Sequence, residues 1–275
     1  MNLTFVGGGQ MARAMAGGIL DSGVVTGEAL TVVNPPGANA DWWTRHRPGV
    51  RVLAPEQWGV GDHDDGVVVL AVKPDKILPL IAAYDAWKDR PVVSIAAGVT
   101  LGQLISAVGH SRVIRVMPNT PSLVGFGMSG YVCGDDVTAN DRQSLVGLLD
   151  AIGQHVEVTE RQLEALTGLS GSGPAYVYLM IEALADGGVA AGLPRQIAMQ
   201  LATQTVRGGA EMVAQTGQHP GVLKDAVASP GGTTIAGIST LEQNGFRWAL
   251  VDAVTTAAKQ ARRMAAQSAA GNESP

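Results

Sequence analysis

The fold of this 275-residue chain is decided at its start, where Asn2-Leu-Thr-Phe-Val6 runs directly into Gly7-Gly-Gly-Gln-Met-Ala12. The first stretch is a short apolar strand, and the residues after the glycines carry the spacing of an apolar-periodic helix. Between them, Gly7, Gly9 and Ala12 fit the pattern G-x-G-x-x-G/A, in which the glycines form a tight turn and let a pyrophosphate approach the backbone. Because the pattern stands between a strand and a helix, it predicts a dinucleotide-binding site.

The rest of the first 160 residues alternates between strands and helices. A near-continuous apolar run such as Val67–Val72 is typical of a central parallel strand that is covered on both faces. This alternation predicts an α/β fold, with an N-terminal doubly wound (Rossmann-type) sheet over residues 1–160. The other predicted strands are Asn2–Val6, Ala29–Val33, Pro91–Ile95, Arg112–Val116, Met128–Cys133 and His155–Val158, with a helix at Ala139–Ile152 before the last of them.

Residues 161–275 carry helical patterns without a convincing strand. The segment Ala175–Ala185 is apolar nearly all round, which predicts a buried helix. We expect a second subunit to bury it, so that residues 161–275 form an all-α dimerisation domain of a homodimer or a larger homo-oligomer. The alternative is an ordinary central helix in a monomeric bundle.

Composition excludes several classes of protein. Apolar residues make up 46% and charged residues 16%, so the chain can bury a sizeable core and is not disordered. A net charge of −5 without a basic cluster argues against nucleic acid as a partner. The longest apolar runs are too short to cross a membrane, and no signal peptide is visible. The single cysteine, Cys133, excludes an intramolecular disulfide and fits a reducing compartment, so we expect a cytoplasmic protein.

The ends of the predicted strands indicate which dinucleotide is bound. Asn34 stands where NAD-specific sites carry a carboxylate for the ribose 2′-hydroxyl, and nothing there would repel a 2′-phosphate. This favours NADPH as cofactor, with NADH as the alternative. Ligands of open α/β sheets bind beyond the carboxyl ends of the strands, so we expect these residues to line the cofactor site: Gly7, Gly9, Gln10, Met11, Ala12, Asn34, Ala71, Val72, Lys73, Pro74, Ala97 and Gly98.

A second motif, Ser229-Pro-Gly-Gly-Thr-Thr234, precedes an apolar-periodic run near the C-terminus. A serine before a proline is a good helix N-cap, and proline fits the first helical position. Gly231 and Gly232 let the backbone come close to a ligand, and the first-turn N–H groups of a helix attract an anion. The motif therefore predicts a pocket for a small carboxylate, beside the hydroxyls of Thr233 and Thr234. The alternative is a capped helix start with a glycine hinge.

A dinucleotide fold with a helical domain implies hydride transfer, and the pattern of residues 168–181 limits the acceptor. Two-domain hydroxyacid dehydrogenases carry G-x-x-G-x-G-x-x-x-K-x-x-x-N at this place. The three glycines are present, but Val177 and Ile181 replace the lysine and the asparagine. Without that acid/base, alcohol oxidation is disfavoured, whereas a protonated imine needs only to be held and hydrogen-bonded at its nitrogen. None of the five histidines falls in a motif (His46, His63, His110, His155 and His219), and no metal site is expected.

The chain resembles pyrroline-5-carboxylate reductases over nearly its whole length. The residues that carry the resemblance are Gly7-Gly-Gly-Gln-Met-Ala12, Ala71-Val-Lys-Pro74, Ser94-Ile-Ala-Ala-Gly-Val-Thr100, Arg115-Val-Met-Pro-Asn-Thr-Pro121, Leu166-Thr-Gly-Leu-Ser-Gly-Ser-Gly-Pro-Ala-Tyr176, Gly192-Leu-Pro194 and His219-Pro-Gly-Val-Leu-Lys-Asp225, followed by Ser229-Pro-Gly-Gly-Thr-Thr234.

The resemblance implies NAD(P)H-dependent reduction of L-Δ1-pyrroline-5-carboxylate to L-proline. By analogy, Ser229, Gly232 and Thr233 would bind the substrate carboxylate, and Thr234 would hydrogen-bond the ring nitrogen. It also implies a dimer formed through the helical domain, often assembled further to a decamer, with the partner subunit completing the substrate site. Two alternatives stay open: a related reductase of another cyclic imine or keto acid, and a catalytically silent NADP-binding module that senses redox state.

Overall fold

The computed structural model describes residues 1–58, 66–84, 87 and 90–270, and His63 lies outside these residues. The chain divides into two compact units. The N-terminal unit is Met1–Ser172 with the described part of Thr255–Pro275, and the helical unit is Gly173–Val254. The α/β fold class with a following helical region is confirmed, while the division at residue 160 stays a prediction.

The N-terminal unit is built on one eight-stranded sheet with the order β3-β2-β1-β4-β5-β6-β7-β8. Its strands pair in parallel except β6 with β7, which are antiparallel. The order reverses between β1 and β4, which is the point where open α/β sheets bind their ligands. The strands are β1 Leu3–Val6, β2 Leu30–Val33, β3 Arg51–Leu53, β4 Val67–Leu70, β5 Val92–Ser94, β6 Val113–Met117, β7 Gly127–Cys133 and β8 Gly153–Glu157.

Helices cover both faces of this sheet, which explains why its central strands β1 and β4 are buried at every position. One face packs on α1, α2 and α5, with Met15 and Trp43 in its core, and the other packs on α3 and α4, with Ile77 and Leu104 in its core. The helices of this unit up to residue 172 are α1 Gln10–Asp21, α2 Ala38–His46, α3 Pro74–Ala83, α4 Leu101–Val108, α5 Ala139–Asp150 and α6 Glu160–Leu166, and a π-helical turn, Thr167–Gly171, follows α6.

The helical unit has a small core and a largely exposed apolar surface. Ala185, Ala198 and Ala202 form the core. The helices α7 and α8 pack closely at Gly188, where an added Cβ would lie only 3.1 Å from Cβ of Ala198. Leu179 is 67% exposed, so the predicted burial of α7 does not occur within the single chain. The helices are α7 Gly173–Ala190, α8 Arg195–Thr216, α9 Pro220–Ala226, α10 Thr233–Gln243 and α11 Phe246–Ala270, of which only the first part belongs to this unit.

The last part of α11 belongs to the N-terminal unit, since the division falls inside this helix, between Val254 and Thr255. There Arg262 Nε donates to Glu164 Oε2 at 2.9 Å. Cβ of Met264 lies 3.3 Å from the position that a Cβ at Gly98 would occupy. The β5–α4 loop is therefore packed against residues that lie about 165 positions later in the chain.

Two local expectations differ from the structure. The strand β3 was not expected, because three residues at the edge of a sheet carry no apolar run. The helix expected to start at Ser229 and Pro230 starts at Thr233 with Gly232 as N-cap, and Ser229 does not cap it. The reason is that Pro230 followed by Gly231 favours a tight turn, with proline at its second position and a positive-φ glycine at its third.

Candidate functional site

The glycine motif lies at the carboxyl edge of the sheet, directly after β1. Gly7 has φ of +106°, and a Cβ there would lie 2.6 Å from the carbonyl oxygen of Ala71. Only glycine fits such a position without moving the neighbouring backbone. Around Gly9, in contrast, no described atom beyond its two chain neighbours lies within 4 Å of where a Cβ would be. The first glycine thus serves the turn, and the second leaves open space above the loop.

The peptide groups of Gly8 are held from two sides. Its N–H donates to Oδ1 of Asn34 at 2.9 Å, and its carbonyl accepts from Nε1 of Trp43 at 3.1 Å. Trp43 is fully buried in the core beneath the loop. The turn is therefore fixed through both of its polar groups, and neither contact could be predicted from local sequence because both residues lie at least 26 positions away.

The residues of this loop fit a dinucleotide. The helix α1 begins at Gln10 with Gly9 as N-cap, and no side chain caps its first turn. The N–H groups of that turn, including those of Met11 and Ala12, therefore form the anion-attracting N-terminal end of a 12-residue helix. A pyrophosphate needs this set of donors together with the open approach at Gly9.

The other residues predicted for the cofactor follow the neighbouring strands at the same edge. Ala71 N donates to Val6 O at 2.8 Å, which places residues 71–74 beside the glycine motif. Lys73 is the N-cap of α3 and Pro74 its first residue, with Val72 in the bend between them and the strand. Ala97 and Gly98 lie in the loop between β5 and α4. The structure therefore brings the predicted cofactor residues of the N-terminal unit to one edge of the sheet.

The β5–α4 loop is braced by a contact that sequence reasoning missed. Oε1 of Glu160 accepts from Leu101 N at 3.0 Å and from Nη1 of Arg115 at 2.5 Å. Arg115 is a buried cation on β6, with 3% of its side chain exposed. The signal available in the sequence was an arginine within an apolar strand run, but its partner lies 45 residues away.

The loop after β6 is tied to the π-helical turn. Asn119 is buried, its Nδ2 donates to Ser170 O at 3.0 Å, and its Oδ1 accepts from Met128 N at 2.9 Å. A Cβ at Gly171 would lie 3.0 Å from Cε of Met117. The Met117–Pro121 motif and the Thr167–Gly171 turn thus form one packed corner of the N-terminal unit.

The second motif lies in the helical unit and forms a turn followed by a helix. Gly232 N donates to Ser229 O at 3.0 Å, and Gly231 has φ of +68°. A Cβ at Gly232 would collide with Oγ of Ser229, so a larger residue there would have to displace the serine hydroxyl. Thr233 and Thr234 are the first two residues of the 11-residue helix α10, whose first turn has no side-chain cap. Thr234 is half-buried, whereas Ser229 and Thr233 are exposed in the single chain.

The described part of the chain offers few alternatives for acid–base or metal chemistry. The four described histidines contact backbone groups or a single nearby carboxylate, as in the case of His219, whose Nδ1 accepts from Gly221 N at the start of α9. Burial raises the pKa of the Cys133 thiol above its ordinary value, which disfavours the nucleophilic thiolate. Among the described residues, no cluster of histidine, cysteine and carboxylate side chains could hold a metal ion. No helix in the same residues combines the length and apolar character that a membrane span needs.

Comparison with known proteins matches a different family model to each of two parts of the chain. Residues 160–264 match the family described as pyrroline-5-carboxylate reductase dimerisation, and residues 2–98 match NADP oxidoreductase coenzyme F420-dependent. A pyrroline-5-carboxylate reductase of Arabidopsis thaliana is 45% identical over 263 residues, covering 94% of each chain. That of Escherichia coli (strain K12) is 39% identical over 264 residues, covering 94% of this chain and 97% of its own.

Solved structures agree. The Plasmodium falciparum pyrroline carboxylate reductase, solved with NADP bound, superposes with a TM-score of 0.86 at 33% identity, and 96% of this chain and 98% of that chain are covered. With relatives this similar over nearly the full length, and with the glycine loop and the Ser229–Thr234 turn both formed, the chain belongs to the pyrroline-5-carboxylate reductase family.

Proposed function

We propose that the protein reduces L-Δ1-pyrroline-5-carboxylate to L-proline with NAD(P)H, the last step of proline biosynthesis. The observation that carries the proposal is the similarity to pyrroline-5-carboxylate reductases, 39% identical or more to those of Arabidopsis thaliana and Escherichia coli, over 94% of this chain. The glycine loop and the Ser229–Thr234 turn supply the two kinds of site that such a reaction requires.

The substrate carboxylate is bound at the turn before α10. Ser229 offers its hydroxyl, and the backbone N–H groups of Gly232 and Thr233 lie at a helix N-terminus without a side-chain cap. These donors suit a carboxylate because the partial positive charge of the helix end adds to the hydrogen bonds. Gly231 and Gly232 allow the ligand to approach the backbone closely.

The reduction needs little acid–base chemistry from the protein. The C=N carbon of the protonated imine receives a hydride and its nitrogen keeps the proton, which gives the ring amine of proline. When bound, the nicotinamide cofactor supplies that hydride. Thr234 is the proposed catalytic residue: its hydroxyl hydrogen-bonds the ring nitrogen and orients the imine. Val177 and Ile181, at the places of the missing lysine and asparagine, agree with an imine rather than a ketone substrate.

NADPH is the proposed cofactor, with NADH as a weaker alternative. The residues proposed to hold it are those of the glycine loop with Asn34, residues 71–74, Ala97 and Gly98. Asn34 carries no charge, and its amide oxygen is already bound by Gly8 N, so no carboxylate opposes a 2′-phosphate at the end of β2.

The protein is proposed to act as a homodimer at least, and a decamer is proposed as the larger assembly. Large apolar side chains of the helical unit are exposed in the single chain, such as Leu179 at 67% and Trp248 at 71%. Exposed apolar surface of this kind is typical of a subunit interface. Light scattering should give twice or ten times the chain mass of 28.3 kDa, and a monomer would contradict this proposal. The proposed compartment is the cytoplasm, in which the single thiol stays reduced.

The experiment that tests the function follows oxidation of NADPH with and without pyrroline-5-carboxylate, and then repeats the assay with NADH. Substrate-dependent oxidation with proline as product is the expected result. Faster turnover of a six-membered cyclic imino acid would assign the site to a related substrate. Cofactor binding without turnover of any cyclic imine would indicate a silent binding module and overturn the proposal.

A further inference from the structure

Arg13 lies beside the glycine motif Gly7–Ala12, on the side that faces α2. It follows Ala12, the last residue of the glycine motif, by one position on α1. Its guanidinium carbon lies 4.4 Å from the ring centroid of Trp42, and its Nη2 donates to Oδ1 of Asn39 at 2.7 Å. Trp42 and Asn39 both belong to α2, the helix that begins just after the β2 loop. The guanidinium is therefore held at a defined position next to the end of β2.

The charge of this arginine has no counter-ion within the described part of the chain. Arg13 forms no ion pair there, and its Nε is buried without a hydrogen-bond partner. Arg47, on the same side of the sheet, is bound by both carboxylate oxygens of Asp21, at 2.5 and 2.8 Å. An arginine that is stacked on an indole and keeps free donors is suited to a phosphate, because the planar guanidinium can donate two parallel hydrogen bonds.

The neighbouring Asn34 is occupied by the backbone. Its Oδ1 accepts from Gly8 N at 2.9 Å and its Nδ2 donates to Pro35 O at 2.7 Å. This is the position at which a carboxylate would bind the ribose 2′-hydroxyl of NAD. Since the amide is turned inward and no carboxylate replaces it, the group that selects the cofactor must be another one.

We propose that Arg13 determines the preference for 2′-phosphorylated adenine dinucleotides by donating to the 2′-phosphate. Trp42 and Asn39 act as positioning residues that hold the guanidinium. The inference rests on the proposed function for the class of cofactor, but it does not depend on the imine substrate. It assigns the selection to an arginine on α1, whereas arginine is expected near the end of β2.

The test is calorimetric binding of two ligands that differ only in the phosphate, 2′-phospho-ADP-ribose and ADP-ribose, to the full-length protein. In Arg13→Gln, the dissociation constant of the 2′-phosphorylated ligand should rise by about 10- to 100-fold, as expected for the loss of charged hydrogen bonds. The affinity for ADP-ribose should change by less than about twofold. Arg45→Gln, which removes an exposed charge from α2, the helix of Trp42 and Asn39, should leave both affinities within about twofold.

A purely structural role of Arg13 would give a different result. Loosening the packing between α1 and α2 would weaken both ligands by the same factor, and that result would overturn the proposal, as would unchanged binding of both. Trp42→Leu provides a second variant: it keeps the arginine but removes its aromatic support, and it should weaken only the 2′-phosphorylated ligand, by about 3- to 10-fold. Circular dichroism and the thermal midpoint establish that each variant is folded.

This experiment also separates the inference from the proposed function. If pyrroline-5-carboxylate is not turned over but the 2′-phosphorylated ligand is still selected through Arg13, the substrate assignment fails and the role of Arg13 stands. If turnover occurs and the two ligands bind equally well to the unmodified protein, the reaction stands and the role of Arg13 fails.

Discussion

Replacing Trp43 with phenylalanine removes one hydrogen-bond donor from beneath the glycine loop, Gly7–Ala12, and leaves the sequence of the loop unchanged. In the structure, Nε1 of Trp43 donates to the carbonyl of Gly8 at 3.1 Å, and both residues are buried. Phenylalanine keeps the aromatic contact with Trp42, whose ring lies edge-on at a centroid distance of 5.2 Å. The substitution therefore tests whether this hydrogen bond prepares the glycine loop for the cofactor.

The expected loss of stability follows from burial. A buried carbonyl that loses its donor costs about 1–3 kcal/mol, and the smaller ring leaves a gap, so the free energy of unfolding should fall by about 2–4 kcal/mol. The effect on binding is separate. If the Gly8 peptide is free to move, the cofactor must order one backbone residue at a cost of about 1–2 kcal/mol, which raises the dissociation constant of NADPH by about 5- to 30-fold.

The chain offers a matched control in Trp87. Its Nε1 donates to Ile81 O at 2.9 Å, it is 2% exposed, and it stands edge-on to Trp58 at 5.3 Å. It belongs to the core on the opposite face of the sheet, away from the glycine loop. Trp87→Phe should therefore lose a similar amount of stability without losing affinity for NADPH.

Stability is measured by urea denaturation at a fixed protein concentration, and NADPH binding by calorimetry in the absence of urea. We expect both variants to unfold at lower urea concentration and only Trp43→Phe to bind NADPH more weakly. If Trp43→Phe were destabilised like Trp87→Phe but bound NADPH with an unchanged dissociation constant, the hydrogen bond to Gly8 would be structural only, and the argument would be refuted.

Substitutions at three further positions test the site and the fold. Gly9→Ala should shift the thermal midpoint by no more than about 4 °C, because its methyl group meets open space. The dissociation constant of NADPH should rise about tenfold or more, and unchanged affinity in calorimetry would contradict the assigned approach of the pyrophosphate. Thr234→Ala should lower kcat on the order of 10- to 100-fold, with most activity restored in Thr234→Ser, and an unchanged kcat would remove Thr234 from the mechanism. The Arg112 guanidinium holds the pKa of the Asp141 carboxyl below its ordinary value, so this carboxylate stabilises the fold above about pH 4 and the contribution is lost as the pH falls through the lowered pKa. The free energy of unfolding of Asp141→Asn should therefore be about 1.5–3 kcal/mol lower near neutral pH, and it should fall less steeply than that of the unmodified protein as the pH is lowered. Urea midpoints that fall equally steeply with pH in the variant and in the unmodified protein would argue against this.

The glycine loop and the sheet around it could be predicted because their signals are local. Gly7 and Gly9 are separated by one residue, and β4 is a continuous apolar run because both faces of the sheet are covered. A buried parallel strand needs no contact with distant residues to be recognised in the sequence. The order of the strands then brings the predicted cofactor residues of this unit together.

The supports of the site could not be predicted from local sequence, because each joins residues that are distant along the chain. Trp43 fits the pattern of a core residue, and nothing nearby indicates that its indole N–H reaches Gly8. Glu160 resembles an ordinary residue at the start of a helix, yet it accepts from Arg115 and from Leu101 N. Such contacts depend on the register of the whole sheet, which the pattern of a single segment does not contain.

The second motif shows that one sequence can carry two competing local signals. Ser229 before Pro230 predicts a helix cap, whereas Pro230 before Gly231 predicts a turn. The turn prevails because Gly231 adopts a positive φ, and the helix starts three residues after Pro230. The anion-attracting helix end expected from the sequence is therefore formed, but by Gly232 and the two threonines.

The return of α11 to the N-terminal unit has a practical consequence for dissecting this protein. Because Arg262 binds Glu164 and Met264 covers Gly98, a gene fragment that stops at residue 172 would lack the residues that support the β5–α4 loop. The stretch matched by the dimerisation family, residues 160–264, likewise contains residues from both compact units. We therefore expect neither fragment to fold as a self-contained unit, so the two parts of the protein should be compared by point substitution in the full-length chain rather than by expression of the separate pieces.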